Sequence, residues 1–211
     1  MPFTSPTLNK YQDSHASAED PILTALARET FLKVQMPTML SGHAQGIFLE
    51  NISRMIQPRR VLEIGTFTGY ATICLAKGLA EDGILYTLDI NEELEPIFSK
   101  YFAQSGLDKK IKFIPGNAMK TIPAIDEIFD IVFIDADKMN YIHYYDLIID
   151  KVRSGGYILT DNVLWSGKVL QEIKDKETDL IHRFNLKLAA DPRIQNVIIP
   201  IRDGINLARK L

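Results

Sequence analysis

The sequence predicts one doubly wound α/β domain with a seven-stranded, mostly parallel sheet, an antiparallel C-terminal strand and helices on both faces. Three observations predict it. From residue 60 onward, short β-branched runs alternate with helix-length amphipathic stretches. One of those runs, FDIVFI at residues 129–134, is apolar enough for burial on both faces, as a central parallel strand is. The last two runs flank Arg202-Asp203-Gly204, a turn that folds the final strand back as a hairpin.

Residues 1–20 are polar and rich in Ser, Thr, Pro and Asn, and read as a flexible N-terminal arm; residues 21–211 form the domain. Asp20-Pro21 caps and opens a helix to about residue 34, and Pro37 breaks it. Ser41 starts a second helix, apolar at Ile47, Phe48, Ile52, Met55 and Ile56, that ends before Pro58. Strands are expected at residues 60–64, 84–88, 111–114, 129–134, 157–160, 197–201 and 205–208. Helices are expected at about 69–80, 91–105, 140–152 and 178–189, with Gly155-Gly156 as the turn into the fifth strand.

The formal net charge of −3 argues against a nucleic-acid partner. No apolar run approaches the roughly 20 residues that span a bilayer, and no apolar leader is visible, so a cytoplasmic protein without a membrane partner is expected. The one cysteine, Cys74, rules out an intramolecular disulfide and reads as a small core residue.

The strand ending at Ile64-Gly65 turns through Thr66-Phe67-Thr68-Gly69 into a helix, which makes the loop from Glu63 to Gly69 a ligand cradle. Dinucleotide folds want a glycine where Phe67 stands, to admit a pyrophosphate; S-adenosylmethionine has none. Asp89 ends the next strand, where a carboxylate accepts hydrogen bonds from ribose hydroxyls. Gly116-Asn117-Ala118 follows the third strand, within reach of an adenine edge. Each piece alone also fits plain packing or helix capping; their occurrence at three successive strand ends favours a nucleoside site.

The fourth strand ends Asp135-Ala136-Asp137-Lys138 and the fifth Asp161-Asn162. Adjacent parallel strands bring Asp135, Asp161 and Asn162 to one edge. Oxygen donors without His or Cys suit a hard cation, Mg²⁺ first and Mn²⁺ or Ca²⁺ as alternatives. The same residues equally suit helix caps. Lys138, three residues after Asp135, is placed to act as a general base on an oxygen there.

With those residues assembled, the chain resembles the class I, cation-dependent O-methyltransferases. These are the caffeoyl-CoA O-methyltransferase-like family, related to catechol O-methyltransferase. The blocks VLEIGTFTGY (61–70), FIDADKMNY (133–141), DNVLWSG (161–167) and RDG (202–204) carry the resemblance, which runs from about Pro21 to the end. It implies a Rossmann-like methyltransferase fold, S-adenosylmethionine as donor and a metal on Asp135, Asp161 and Asn162, with Lys138 as base. Glu63, Gly65, Phe67, Gly69, Asp89, Ala118, Asp135 and Asp137 then line the donor site. Met36 and Thr38 match a segment that meets the donor's methionine portion, Tyr144 a tyrosine near its carboxylate, and Trp165 the acceptor side. Ala71 replaces a usual Ser, Asn117 a frequent Asp, and His43-Ala44-Gln45 a usual acidic stretch.

The resemblance implies methyl transfer to one hydroxyl of a small vicinal diphenol, and a homodimer. A catechol, a flavonoid and a CoA thioester all stay open as acceptors. A nicotinamide oxidoreductase and a non-catalytic binding protein on the same fold are the competing readings.

Overall fold

A computed structural model describes residues 6–211. Seven strands, β1 (Arg60–Ile64), β2 (Ile84–Asp89), β3 (Ile111–Pro115), β4 (Phe129–Ile134), β5 (Val152–Thr160), β6 (Ile194–Ile199) and β7 (Ile205–Lys210), form one sheet in the order β3-β2-β1-β4-β5-β7-β6. Neighbours from β3 to β5 are parallel, and β7 runs antiparallel to both β5 and β6, as expected of the hairpin. The strand order reverses between β1 and β4, which is where such sheets open a crevice at their carboxyl ends.

The helices are α1 (Pro6–Ser14), α2 (Pro21–Lys33), α3 (His43–Ile56), α4 (Tyr70–Ala76), α5 (Glu95–Gln104), α6 (Ala118–Ala124), α7 (Tyr141–Ile148) and α8 (Lys176–Ala190). They divide between the two sheet faces because strand side chains alternate. Val61, Ile131 and Phe133 point into a core with α2 to α5, through Leu26, Leu49, Tyr70 and Phe98. Leu62, Ile64, Val132 and Ile134 point the other way, onto α6 to α8 through Ile122, Tyr145 and Phe184. Truncating a fully buried ring such as Phe184 in such a core costs roughly 3–5 kcal/mol. No helix among the described residues is long and apolar enough to cross a membrane.

Several boundaries differ from expectation, each for a local reason. Residues 6–14, read as part of a loose arm, are helical, whereas residues 1–5 of that arm lie outside the described residues. Helix α4 stops at Ala76 because Gly78 packs directly on α3, where an added Cβ would lie 2.3 Å from the Ser53 carbonyl carbon. β5 begins at Val152, paired with Phe129, so Gly155 and Gly156 sit inside the strand; Gly155 (φ +75°) takes up the register shift between Phe129 and Ile131. β6 lies three residues earlier than expected at its start and ends before Pro200, which has no N–H for the ladder. Helix α6 is not foreseen, being only seven residues long with Pro123 inside it. In α3, Met55 is exposed and the polar Gln45 and Ser53 face inward with Leu49.

Candidate active site

The turn after β1 is shaped by close backbone approach. Gly65 (φ +105°) passes the Asp135 carbonyl so tightly that a Cβ would lie 2.0 Å from its oxygen. The Gly65 N–H donates to the Leu88 carbonyl at 2.8 Å, and the Asp135 N–H donates to Ile64 at 2.9 Å. The three central strands are thereby locked where they end. Phe67 follows with φ +49°, and its N–H donates to the Asp89 carboxylate at 2.8 Å. The second Asp89 oxygen accepts the Asn91 N–H at 2.9 Å.

A cavity of about 1310 Å³ opens over this edge, walled on one side by Gly65, Phe67, Asp89, Asn117, Ala118 and Tyr144. Met36, Thr38 and Asp137 border it too. Tyr144 donates to Asp137 at 2.5 Å and Asn140 to the other Asp137 oxygen at 2.6 Å; burial, then Asp137, push the Tyr144 phenol up. Asn117 faces the cavity but spends its side-chain oxygen capping α6, where it accepts the Met119 N–H at 2.9 Å.

Two residues assigned to the donor site do not reach its wall. Gly69 N-caps α4 with φ +86°, pressed on Phe102, where a Cβ would lie 2.6 Å from the ring. Glu63 lies fully buried beneath the turn. One of its oxygens accepts Thr72 and Thr87, both at 2.5 Å, while the other has no partner. Thr87 in turn shares a 2.6 Å hydrogen bond with Thr66 of the loop. Burial pushes the Glu63 carboxyl up to about 8. Glu63 supports the cradle from below.

Opposite the cradle, the β4–β5 register pairs Ile134 with Thr160, and the Asp161 N–H donates to Ile134 at 3.0 Å. Asp135 and Asp161 therefore leave adjacent strands at the same level, and Asn162 follows with φ +57°. Lys138 donates to Asp135 at 3.1 Å and to the Ala136 carbonyl at 3.0 Å. Asp161 is 3% exposed, and burial, then the negative charge of Asp135, push its carboxyl up. Asp135, Lys138, Asp161, Asn162 and Trp165 all border the cavity. Among the described residues no three His, Cys, Asp or Glu side chains group as a metal site. The set here has two carboxylates and an amide, all oxygen donors, which is the chemistry a hard cation fits.

Residues 13–211 match the O-methyltransferase family model. The chain belongs to the O-methyltransferase family. It is 35% identical over 200 residues to caffeoyl-CoA O-methyltransferase 2 of Petunia hybrida, covering 87% of this chain and 81% of that protein. Caffeoyl-CoA O-methyltransferase of Medicago sativa is 34% identical over the same share of this chain and 80% of its own. Among solved structures, the O-methyltransferase of Bacillus cereus in complex with SAH superposes with a TM-score of 0.89 at 28% identity, covering 97% of each chain. TomG of Streptomyces achromogenes, involved in tomaymycin synthesis and solved with SAM, gives 0.88 at 28% identity over 97% of this chain and 96% of that one.

This O-methyltransferase concentrates backbone strain at its cavity. Of the seven non-glycine residues with positive φ among the described residues, five border the cavity: Met36, Phe67, Asn162, Trp165 and Arg202. Each such conformation costs on the order of 1–3 kcal/mol and persists only where neighbours enforce it. Around Trp165 the enforcer is the β6–β7 turn. Asp203 accepts the Ser166 N–H on its carboxylate and the Leu164 N–H on its carbonyl, and Gly204 accepts Val163. Arg202 crosses the mouth and donates to the carbonyls of Leu40 and Ser41. Sequence reasoning missed the roles of Gln45, Thr72 and Thr87, which meet their partners 116, 9 and 24 residues away only through the fold. It read Arg202 as part of the closing Arg202-Asp203-Gly204 turn without its contacts to Leu40 and Ser41.

Proposed function

We propose that this O-methyltransferase transfers the methyl group of S-adenosylmethionine to one hydroxyl of a vicinal diphenol, assisted by a divalent cation on Asp135, Asp161 and Asn162. The observation that carries the reading is that those three oxygen donors and Lys138 border one cavity, across from the turn after β1. The cradle suits a donor without pyrophosphate. At Phe67, where a dinucleotide fold places its middle glycine, a side chain is present and the backbone N–H is already taken by Asp89. This favours S-adenosylmethionine over a nicotinamide cofactor.

A bound divalent cation supplies Lewis-acid polarisation that lowers the pKa of phenolic hydroxyls. The protein's own groups do the rest. Lys138 in its neutral amine form takes the proton of the attacking hydroxyl, the new bond forms from that oxygen to the methyl carbon, and the carbon–sulfur bond breaks to leave S-adenosylhomocysteine. Trp165, whose indole N–H is buried without a partner, offers an aromatic wall on the acceptor side. Holding donor and acceptor in one pocket contributes several kcal/mol through proximity.

The test is a panel of aromatic acceptors with isotopically labelled donor and Mg²⁺. Label enters vicinal diphenols and not the matching monophenols or 1,3-diphenols. Equal labelling of all three classes contradicts the vicinal-diphenol reading.

A further inference from the structure

We infer that Gln45 is a positioning residue for this site: from helix α3 it fixes the Asp161 carboxylate in the orientation that presents it to the cation. The inference rests on the metal reading above. Gln45 is fully buried, and its Nε2 donates to Asp161 Oδ2 at 2.8 Å across 116 residues of chain. The other carboxylate oxygen accepts the Asn162 N–H at 2.7 Å, and the Asp161 carbonyl accepts the Tyr141 hydroxyl at 3.0 Å. One donor on each carboxylate oxygen sets the plane of the group and leaves further lone pairs on both oxygens for another ligand.

Two further observations say that Gln45 is there for Asp161. Its Oε1 has no hydrogen-bond partner although it is buried, so the amide is held through the Asp161 contact alone. The amide makes one of the four hydrogen bonds it is capable of, an unmet capacity that packing by Leu or Met at this position avoids. The helix is also seated to bring Gln45 this deep. The next residue, Gly46, meets α4 so closely that a Cβ would lie 2.7 Å from the Tyr70 ring and 2.9 Å from the Cys74 sulfur.

The test uses Gln45→Leu and Gln45→Met in the full chain, two apolar replacements of different shape so that a packing fault in one is not mistaken for the effect. Three quantities are measured: Mn²⁺ affinity by calorimetry, S-adenosylhomocysteine affinity without metal, and thermal unfolding. Mn²⁺ affinity falls about 10–100-fold in whichever variant unfolds cooperatively, while S-adenosylhomocysteine binding stays within about two-fold of wild type. A purely structural role lowers both affinities together, and that result overturns the inference. Unchanged Mn²⁺ affinity in a folded variant overturns it while leaving the metal reading standing. Failure of the wild-type protein to bind Mn²⁺ overturns both.

Discussion

The backbone N–H of Phe67 donates to the carboxylate of Asp89 at 2.8 Å, tying the turn after β1 to the end of β2. This hydrogen bond helps a non-glycine residue hold φ +49° at the edge of the cavity. It also makes Asp89 a builder of the cradle as well as a wall of it.

Asp89→Ala removes the acceptor for two loop N–H groups and, on the proposed donor site, a ribose partner. Hydrogen bonds to a charged group are worth about 1.5–3 kcal/mol, so S-adenosylhomocysteine affinity falls by roughly 10–100-fold in calorimetry. Asp89→Asn keeps one acceptor and loses less. Wild-type affinity in Asp89→Ala rules out both roles.

Glu63 makes stability depend on pH. Its carboxyl rises from an ordinary 4.5 to about 8 on folding, so below pH 4.5 it is protonated in both states and carries no penalty. Between those values the unfolded chain releases the proton first, and the folded state loses stability as pH rises, fully so above about 8. Glu63→Gln removes that dependence. Urea unfolding then shows the variant gaining on wild type from about pH 5 to about pH 8, by on the order of a few kcal/mol. Parallel profiles sink the assignment.

Gly65→Ala places a Cβ against the Asp135 carbonyl oxygen in a backbone region that side chains avoid. The expected cost is about 3 kcal/mol or more in denaturant unfolding. A loss below about 1 kcal/mol contradicts the tight β1–β4 closure.

The alternation of strands and helices made the sheet and its switch point legible, because buried parallel strands such as residues 129–134 read as apolar runs. The cavity-lining acids were legible for the same reason: each stands at a strand end, as Asp89, Asp135 and Asp161 do. What stayed hidden depends on distant pairing. Helix α6 lacks a full amphipathic repeat, and nothing local tells that β5 begins before Gly155. Gln45 sits in a polar stretch, His43-Ala44-Gln45, and only the fold brings it to Asp161. Glu63 matches the donor-site motif, yet the side-chain direction of β1 turns it under the cradle toward Thr72 and Thr87.

Lys138 lies at the cavity wall beside Asp135 and is the candidate base. Lys138→Met lowers kcat by roughly 10²–10⁴-fold, the usual range for loss of a general base, with S-adenosylhomocysteine affinity unchanged. A kcat within about three-fold of wild type assigns the proton to another group.

The measurement closest to the central claim is the initial rate of methyl transfer to a vicinal diphenol by chelator-stripped protein, with metal content checked, before and after Mg²⁺ is added back. The account predicts negligible transfer in the stripped protein, intact S-adenosylhomocysteine binding, and recovery on adding Mg²⁺. Full transfer by protein shown to be metal-free contradicts it.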